Sequence, residues 1–219
     1  MSFRMNLQNI DWSLYAIIDQ EWLGGRDIQW VTKQIIQGGA GIIQYRNKVS
    51  EDKKCYQESK KIRVITQKYH IPFIINDRID IALAVDTDGI HLGKDDLPLS
   101  VARKILGNNK IIGFSVRSYS DYQHAKYADY LGIGAIYPTK TKKNYPLTEL
   151  KLIHEIRKKS SIPIVGIGGI TMENLAPVIQ SGVNGIAMIS ALLSSEDIKN
   201  TTLQFIKAIN KAKKAESSN

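Results

Sequence analysis

The chain has 219 residues, 43% of them hydrophobic, a single cysteine and a formal net charge of +9. Its length suits one α/β barrel and no Ser/Gly-rich or charge-block stretch divides it, so a single domain over residues 1–219 is expected, with about 1–12 as an N-terminal extension and about 212–219 as a frayed basic tail. Cys55 excludes an internal disulfide, no apolar run approaches the roughly 18 residues of a membrane span, and no signal-peptide pattern opens the chain; the expectation is a cytoplasmic protein without a membrane partner.

Short β-rich runs alternate with longer segments of helical period, the pattern of repeated βα units around a parallel sheet. The first run, residues 14–18, precedes a helix with Ile28, Val31 and Ile35 on one face, stopped by Gly38-Gly39. The second, 41–46, leads to a helix that Ser50 can cap, with Glu51 and Asp52 at its positive end and Cys55, Ser59, Ile62, Thr66 and Tyr69 on its inner stripe. Residues 72–76 and 89–92 are the third and fourth runs, joined by a helix drawing on Ile79, Leu83 and Ala84. A helix over 98–106 leads to the fifth run, 111–115, and the sixth, 130–134, opens into a polar loop over 138–144. A helix over 147–159 precedes the seventh run, 162–167, which empties into Gly168-Gly169. The eighth, 185–189, ends at Ser190, and a last amphipathic helix carries Phe205, Ala208, Ile209 and Ala212. Eight such units in this length are what a closed (β/α)8 TIM barrel requires.

In such a barrel the carboxyl ends of all strands converge on one face. That rule collects Gln44, Arg46 and Lys48 after run two, Asn76 and Asp77 after run three, and Asp95 and Asp96 beyond run four. It adds Ser115, the loop with Thr139, Lys140, Thr141 and Lys142, then Gly168-Gly169, Ile189 and Ser190. Strand alternation puts Gln44 and Arg46 on one face, with Lys48 continuing the line. An inward Arg needs an anion, either a ligand or an internal carboxylate. Arg46, Lys48 and Lys142 together suit a diphosphate. Carboxylates beside a diphosphate need a cation between them, and Asp77 with Asp96 or Asp95 would hold Mg2+ in that way; as a plain structural feature, Asp77 would cap the following helix. The loops after runs seven and eight suit a separate monophosphate, while Gly168-Gly169 is equally a simple turn.

The charge excess is spread over the predicted helices, with a modest cluster at Lys207, Lys211, Lys213 and Lys214. Without zinc-ligand spacing or an RNA-binding aromatic motif, no nucleic-acid partner is expected; the surface favours anionic small molecules. A homo-oligomer is compatible with the sequence.

Seven segments in order, Q44-Y-R-N-K48, I75-N-D-R78, D88-G-I-H-L-G-K-D-D96, G113-F-S115, G134-A-I-Y-P-T-K-T-K142, I167-G-G-I170 and I189-S-A191, resemble the thiamine phosphate synthase family over essentially the whole chain. The resemblance implies a transferase of thiamine biosynthesis that joins 4-amino-2-methyl-5-hydroxymethylpyrimidine diphosphate to a thiazole phosphate, or its carboxylated form, and releases diphosphate by a dissociative mechanism. It implies that Gln44, Arg46, Lys48, Asn76, Ser115 and Lys142 contact the pyrimidine diphosphate, with Arg46, Lys48, Ser115 and Lys142 catalytic. Asp77 and Asp96 would hold Mg2+ as cofactor, with Asp95 a solvated neighbour, and Thr139, Lys140, Thr141, Gly169, Ile189 and Ser190 would surround the thiazole phosphate. His91 is read as a packed strand-end residue. Two other readings compete: a thiazole tautomerase-like isomerase of the same fold, which needs no diphosphate clamp, and a non-catalytic phosphate-ligand or nucleic-acid binder.

Overall fold

A computed structural model describes residues 7–139, 141 and 146–216. Eight parallel strands close in chain order: β1 (Leu14–Asp19), β2 (Ile42–Arg46), β3 (Phe73–Asn76), β4 (Gly89–Leu92), β5 (Ile111–Val116), β6 (Tyr130–Ile133), β7 (Ile164–Ile167) and β8 (Gly185–Met188), with β1 paired to both β2 and β8. Between and after them run α1 (Ile28–Gln37), α2 (Asp52–Tyr69), α3 (Ile79–Ala84), α4 (Leu99–Leu106), α5 (Tyr119–Gln123), α6 (Leu150–Arg157), α7 (Leu175–Gln180), α8 (Ser190–Leu193) and α9 (Ile198–Glu216). This is the expected (β/α)8 barrel. Among the described residues, no helix is long and apolar enough to cross a membrane.

The strands are buried on both faces, as a parallel sheet covered by helices demands. Their outward positions, among them Ile18, Ile43, Phe73, Ile90, Phe114 and Leu131, pack with the helices into the larger core. Their inward positions form a second, smaller core of Tyr15, Ile17, Ile42, Ile74, Ile111, Tyr130, Val165 and Ala187, which Ile10 and Trp12 join. Inward side chains change character along each strand: Ile42 gives way to Gln44 and Arg46 on β2, Ile74 to Asn76 on β3, and Ile111 to Ser115 on β5. Apolar packing therefore fills one end of the interior and polar groups the other. Glycines on two strands make room for rings: a Cβ on Gly113 would lie 2.1 Å from Cζ of Tyr130, and one on Gly132 3.1 Å from Cε1 of His91.

One latch recurs at the amino ends of the strands. Asp88, just before β4, accepts from the Phe73 N–H (2.8 Å) and from Arg63 of α2 (2.7 Å). Asp129, before β6, accepts from the Ile112 N–H (2.8 Å) and from Arg103 of α4 (2.5 Å). Asn184, before β8, accepts from the Ile164 N–H (2.9 Å) and from Arg157 of α6 (2.8 Å). Each latch satisfies a donor at or next to the start of one strand while tying a helix to the next.

Several local expectations shift. Glu51, not Ser50, stands at the start of α2, because Asn47 Oδ1 accepts from the Val49 and Ser50 N–H groups and draws Ser50 into the preceding turn. The α2 stripe closes on Ile65 and Thr66, leaving Tyr69 exposed at the helix end. In α3 the buried face is Ile81 and Ala82, with Leu83 exposed; Asp77 caps nothing, since Arg78 holds the cap position without a side-chain bond. The helix expected over 147–159 shortens to α6 because the Thr148 N–H is drawn to the Ala135 carbonyl at 2.7 Å, keeping its approach extended. The expected amino-terminal extension does not stand apart from the barrel: its Ile10 and Trp12 are buried against the barrel interior. Nor does the chain fray at 212: α9 continues to Glu216, with Ala212 buried and Lys213 Nζ 2.9 Å from Ser13 Oγ.

The latches yield a prediction. Asp88→Ala leaves the Phe73 N–H and one Arg63 donor unpaired and lowers unfolding free energy by about 3 kcal/mol in urea melts. Asp88→Asn, copying what Asn184 already does four units later, costs less than half of that.

Candidate active site

The carboxyl ends of the strands surround an open cavity. Of the residues expected there, Gln44, Arg46, Asn76, Ser115, Thr139, Thr141, Gly169, Ile189 and Ser190 line it. Lys48, Asp77 and Asp96 stand outside its wall and meet one another at the ends of β2, β3 and β4. Lys140 and Lys142, and with them most of the 138–144 loop's cationic part, lie outside the described residues.

Asp77 follows β3 directly in the left-handed region, φ 60°, a conformation that a short polar side chain tolerates better than most. Its N–H donates to the His91 carbonyl (2.9 Å), so the turn is anchored to β4. Its carboxylate forms an ion pair with Lys48 Nζ and lies within hydrogen-bonding reach of Asp96. Burial, and then the neighbouring Asp96 carboxylate, push the Asp77 carboxyl above its ordinary range, an effect that Lys48 offsets only in part. Apart from that ion pair, the buried Oδ2 of Asp77 has no hydrogen-bond donor among the described residues. Asp96 is held by a turn just past β4, where its Oδ2 accepts from the Gly93 N–H at 2.7 Å; Asp95 is exposed. Two carboxylates in contact, one with an under-donated buried oxygen, have the chemistry to take a divalent cation. No cluster of three or more His, Cys, Asp or Glu side chains placed to hold a metal exists among the described residues, so phosphate or water oxygens would have to complete the coordination.

Arg46 reaches the cavity with its charge already met. Its Nη1 lies 2.5 Å from Oδ2 of the fully buried Asp19 at the end of β1, and 3.7 Å from Glu21. The internal ion pair is therefore present, and an incoming anion would share Arg46 with it.

Among the described residues, no carboxylate lines the other side of the mouth. Gly168 and Gly169 follow β7 with φ of 99° and 61°. A Cβ on Gly169 would lie 2.3 Å from the Pro138 carbonyl, so only glycine lets this turn pass beneath the loop after β6. In that loop the Thr141 N–H donates to Thr139 Oγ1 at 3.2 Å. Beside it, α8 begins at Ser190. Backbone N–H groups at a glycine turn and a helix start suit a phosphate.

Between the two sides lies a polar floor built from His91, expected only as a packed residue, and from two tyrosines that sequence reasoning passed over. Tyr15, His91 and Tyr130 line the cavity with Gln44 and Ser115 and are joined to them by hydrogen bonds. His91 is packed, as expected, its ring centroid 5.4 Å from that of Tyr130, but it also bridges Tyr130 and Ser115. A signal existed: by strand parity Tyr15 points inward with Ile17, and a buried phenol must find a partner.

The family model for thiamine monophosphate synthase matches residues 14–192. The chain is 45% identical over 197 residues to a thiamine-phosphate synthase of Clostridium tetani, covering 89% of this chain and 94% of that protein. It is 45% identical over 198 residues to that of Persephonella marina, covering 90% and 95%. Among solved structures, a thiamine phosphate pyrophosphorylase from Pyrococcus furiosus superposes with a TM-score of 0.84 at 36% identity, over 94% of this chain and 99% of that one. A geranylgeranylglyceryl phosphate synthase from Thermoplasma acidophilum, 14% identical with a TM-score of 0.67, shares the fold alone. With a family match across the whole barrel and such identity over nine-tenths of its length, the chain belongs to the thiamine monophosphate synthase family.

Proposed function

We propose that the protein is a thiamine phosphate synthase, a transferase that moves the aminopyrimidinylmethyl group from its diphosphate to a thiazole phosphate. The observation that carries this reading is one barrel mouth with two different sides: Arg46 in the cavity wall with Lys48 and the paired carboxylates just outside it at β2 to β4, and a glycine turn with a helix start at β7 and β8, both suited to anions. An isomerase acting on a single phosphate has no use for the first side.

In this reading Gln44, Asn76 and Ser115 hold the pyrimidine, while Arg46, Lys48 and Lys142 face the diphosphate. Thr139, Lys140, Thr141, Gly169, Ile189 and Ser190 receive the thiazole phosphate. Asp77 and Asp96 are the residues that would hold Mg2+, which when bound supplies positive charge against the departing diphosphate. The C–O bond between methylene carbon and diphosphate breaks, its electron pair leaving with the diphosphate, and a C–N bond forms from the thiazole nitrogen lone pair. No proton has to move at the reacting atoms, so the side chains serve by orientation and by charge fixed in advance. Lys48, paired with Asp77 in the free protein, becomes available to the diphosphate once the carboxylate is otherwise engaged.

The decisive assay mixes purified protein, both substrates and Mg2+ and measures thiamine phosphate and diphosphate. Product is expected, and its absence where a known synthase is active would sink the reading. Lys48→Ala is expected to raise KM for the pyrimidine diphosphate about tenfold or more with little change for the thiazole phosphate; the reverse order would show the diphosphate side wrongly placed. Asp77 gives a signed prediction. Because its folded carboxyl is raised, the folded protein binds that proton more tightly than the unfolded chain does, and stability is lost as pH rises through the raised value. Asp77→Asn should therefore not lower the melting temperature at neutral pH, the half-exposed Lys48 pair being worth little. It should nonetheless abolish both turnover and any rise in melting temperature on adding Mg2+. A variant that keeps either response removes Asp77 from the metal site.

A further inference from the structure

Tyr15, Tyr130 and His91 link Gln44 to Ser115 in one unbroken line. Gln44 Nε2 is 2.8 Å from Tyr15 Oη, which is 2.7 Å from Tyr130 Oη; His91 Nδ1 is 2.9 Å from that oxygen, and His91 Nε2 is 2.9 Å from Ser115 Oγ. The line crosses from β2 through β1, β6 and β4 to β5, so its members come together only in the closed barrel.

The line has a direction. An amide nitrogen only donates, so Tyr15 Oη accepts from Gln44. Both phenols are wholly buried, and burial holds each well above its ordinary ionisation range, so each keeps its proton. If donation ran from Ser115 towards Tyr15, Tyr15 would accept from both neighbours and its own buried O–H would have no acceptor in the line. Run from Gln44 to Ser115, both phenol protons and the imidazole proton are used. Tyr15 donates to Tyr130, Tyr130 donates to His91 Nδ1, and His91, with Nδ1 accepting, has its N–H at Nε2 and gives it to Ser115 Oγ. The hydroxyl proton of Ser115 and Oε1 of Gln44 are left for the cavity that both residues line.

We propose that the Tyr15–Tyr130–His91 line sets the hydrogen-bond polarity of the pyrimidine subsite, making Gln44 an acceptor and Ser115 a donor, and so selects a 4-aminopyrimidine over its 4-oxo counterpart. This rests on the reading of the site given above. An aminopyrimidine offers an N–H donor beside a ring-nitrogen acceptor, which matches an acceptor at Gln44 and a donor at Ser115. The 4-oxo ring reverses both groups, and each would then face its own kind, the arrangement that buried polar sites reject most strongly. Tyr15, Tyr130 and His91 act through Gln44 and Ser115 and are positioning residues. With the Gln44 amide turned over, the whole line would reverse and favour the 4-oxo ring instead.

The test has two arms on the full chain. In 15N-histidine-labelled protein, NMR reads the His91 tautomer without any substrate, the signal being assigned by its loss in His91→Gln. Wild type is expected to show Nε2–H, and Tyr130→Phe a shift away from it. In the second arm, calorimetry measures dissociation constants for the 4-amino and 4-oxo pyrimidinylmethyl diphosphates, which needs no turnover. Tyr130→Phe should cut the wild-type preference for the amino compound about tenfold while leaving the affinity for inorganic diphosphate unchanged. Tyr15→Phe, which breaks the same line one bond earlier, should do likewise and replaces Tyr130→Phe should that variant fold poorly. An Nδ1–H tautomer in wild type, a wild-type preference for the 4-oxo ring, or an unaltered ratio in the variants overturns the proposal. A wild type that prefers the amino ring through an Nε2–H His91 yet forms no thiamine phosphate would instead overturn the proposed reaction and leave the polarity line standing.

Discussion

The pairing of β1 with β8 is the contact on which the rest depends. It sets Leu14 beside Ile186 and so closes a sheet that would otherwise expose two unpaired edges and half an apolar interior. Closure also fixes what the interior can contain. Once strands surround it on all sides, a polar group there must find its partner across the barrel rather than in water. Tyr15 on β1 and Tyr130 on β6 do so directly, and the glycines at 113 and 132 leave the space in which Tyr130 and His91 stand.

The charged groups at the mouth follow the same constraint. Arg46 is met by Asp19 and Lys48 by Asp77, so each of these two cations already has a carboxylate partner where the strands end. Asp77 is the strained member: a left-handed backbone, a neighbouring carboxylate and a buried oxygen short of donors all fall on one residue. Strain of that kind persists only where surrounding structure imposes it, here the bond from the Asp77 N–H to β4 and the ion pair to Lys48, and it gathers at sites that bind something. The opposite wall achieves its shape with glycine instead, because the turn after β7 must pass within contact distance of the Pro138 carbonyl.

Much of this was legible in the residues. Eight β-rich runs separated by helical periods specify a barrel, and the barrel rule then gathers Gln44, Arg46, Asn76, Ser115, Gly169 and Ser190 with no further information; all six line the cavity. Element ends were less legible, for local reasons: Asn47 captures two N–H groups that would have let Ser50 begin α2, and the Ala135 carbonyl holds Thr148 out of α6. The three latches at the amino ends of the strands were invisible because Arg63 and Asp88, or Arg103 and Asp129, stand 25 or 26 residues apart and look like ordinary surface charges until a helix packs on its strand.

By itself the sequence determined the period of its elements, the parity of each strand and hence which side chains would reach the common face, since these depend only on neighbours a few residues away. The tertiary structure alone decided which of those side chains meet. That Arg46 goes to Asp19, and that Tyr15, Tyr130 and His91 run as one line between Gln44 and Ser115, are consequences of strand register and barrel closure. Those are long-range facts, fixed by packing among residues that the chain itself keeps far apart.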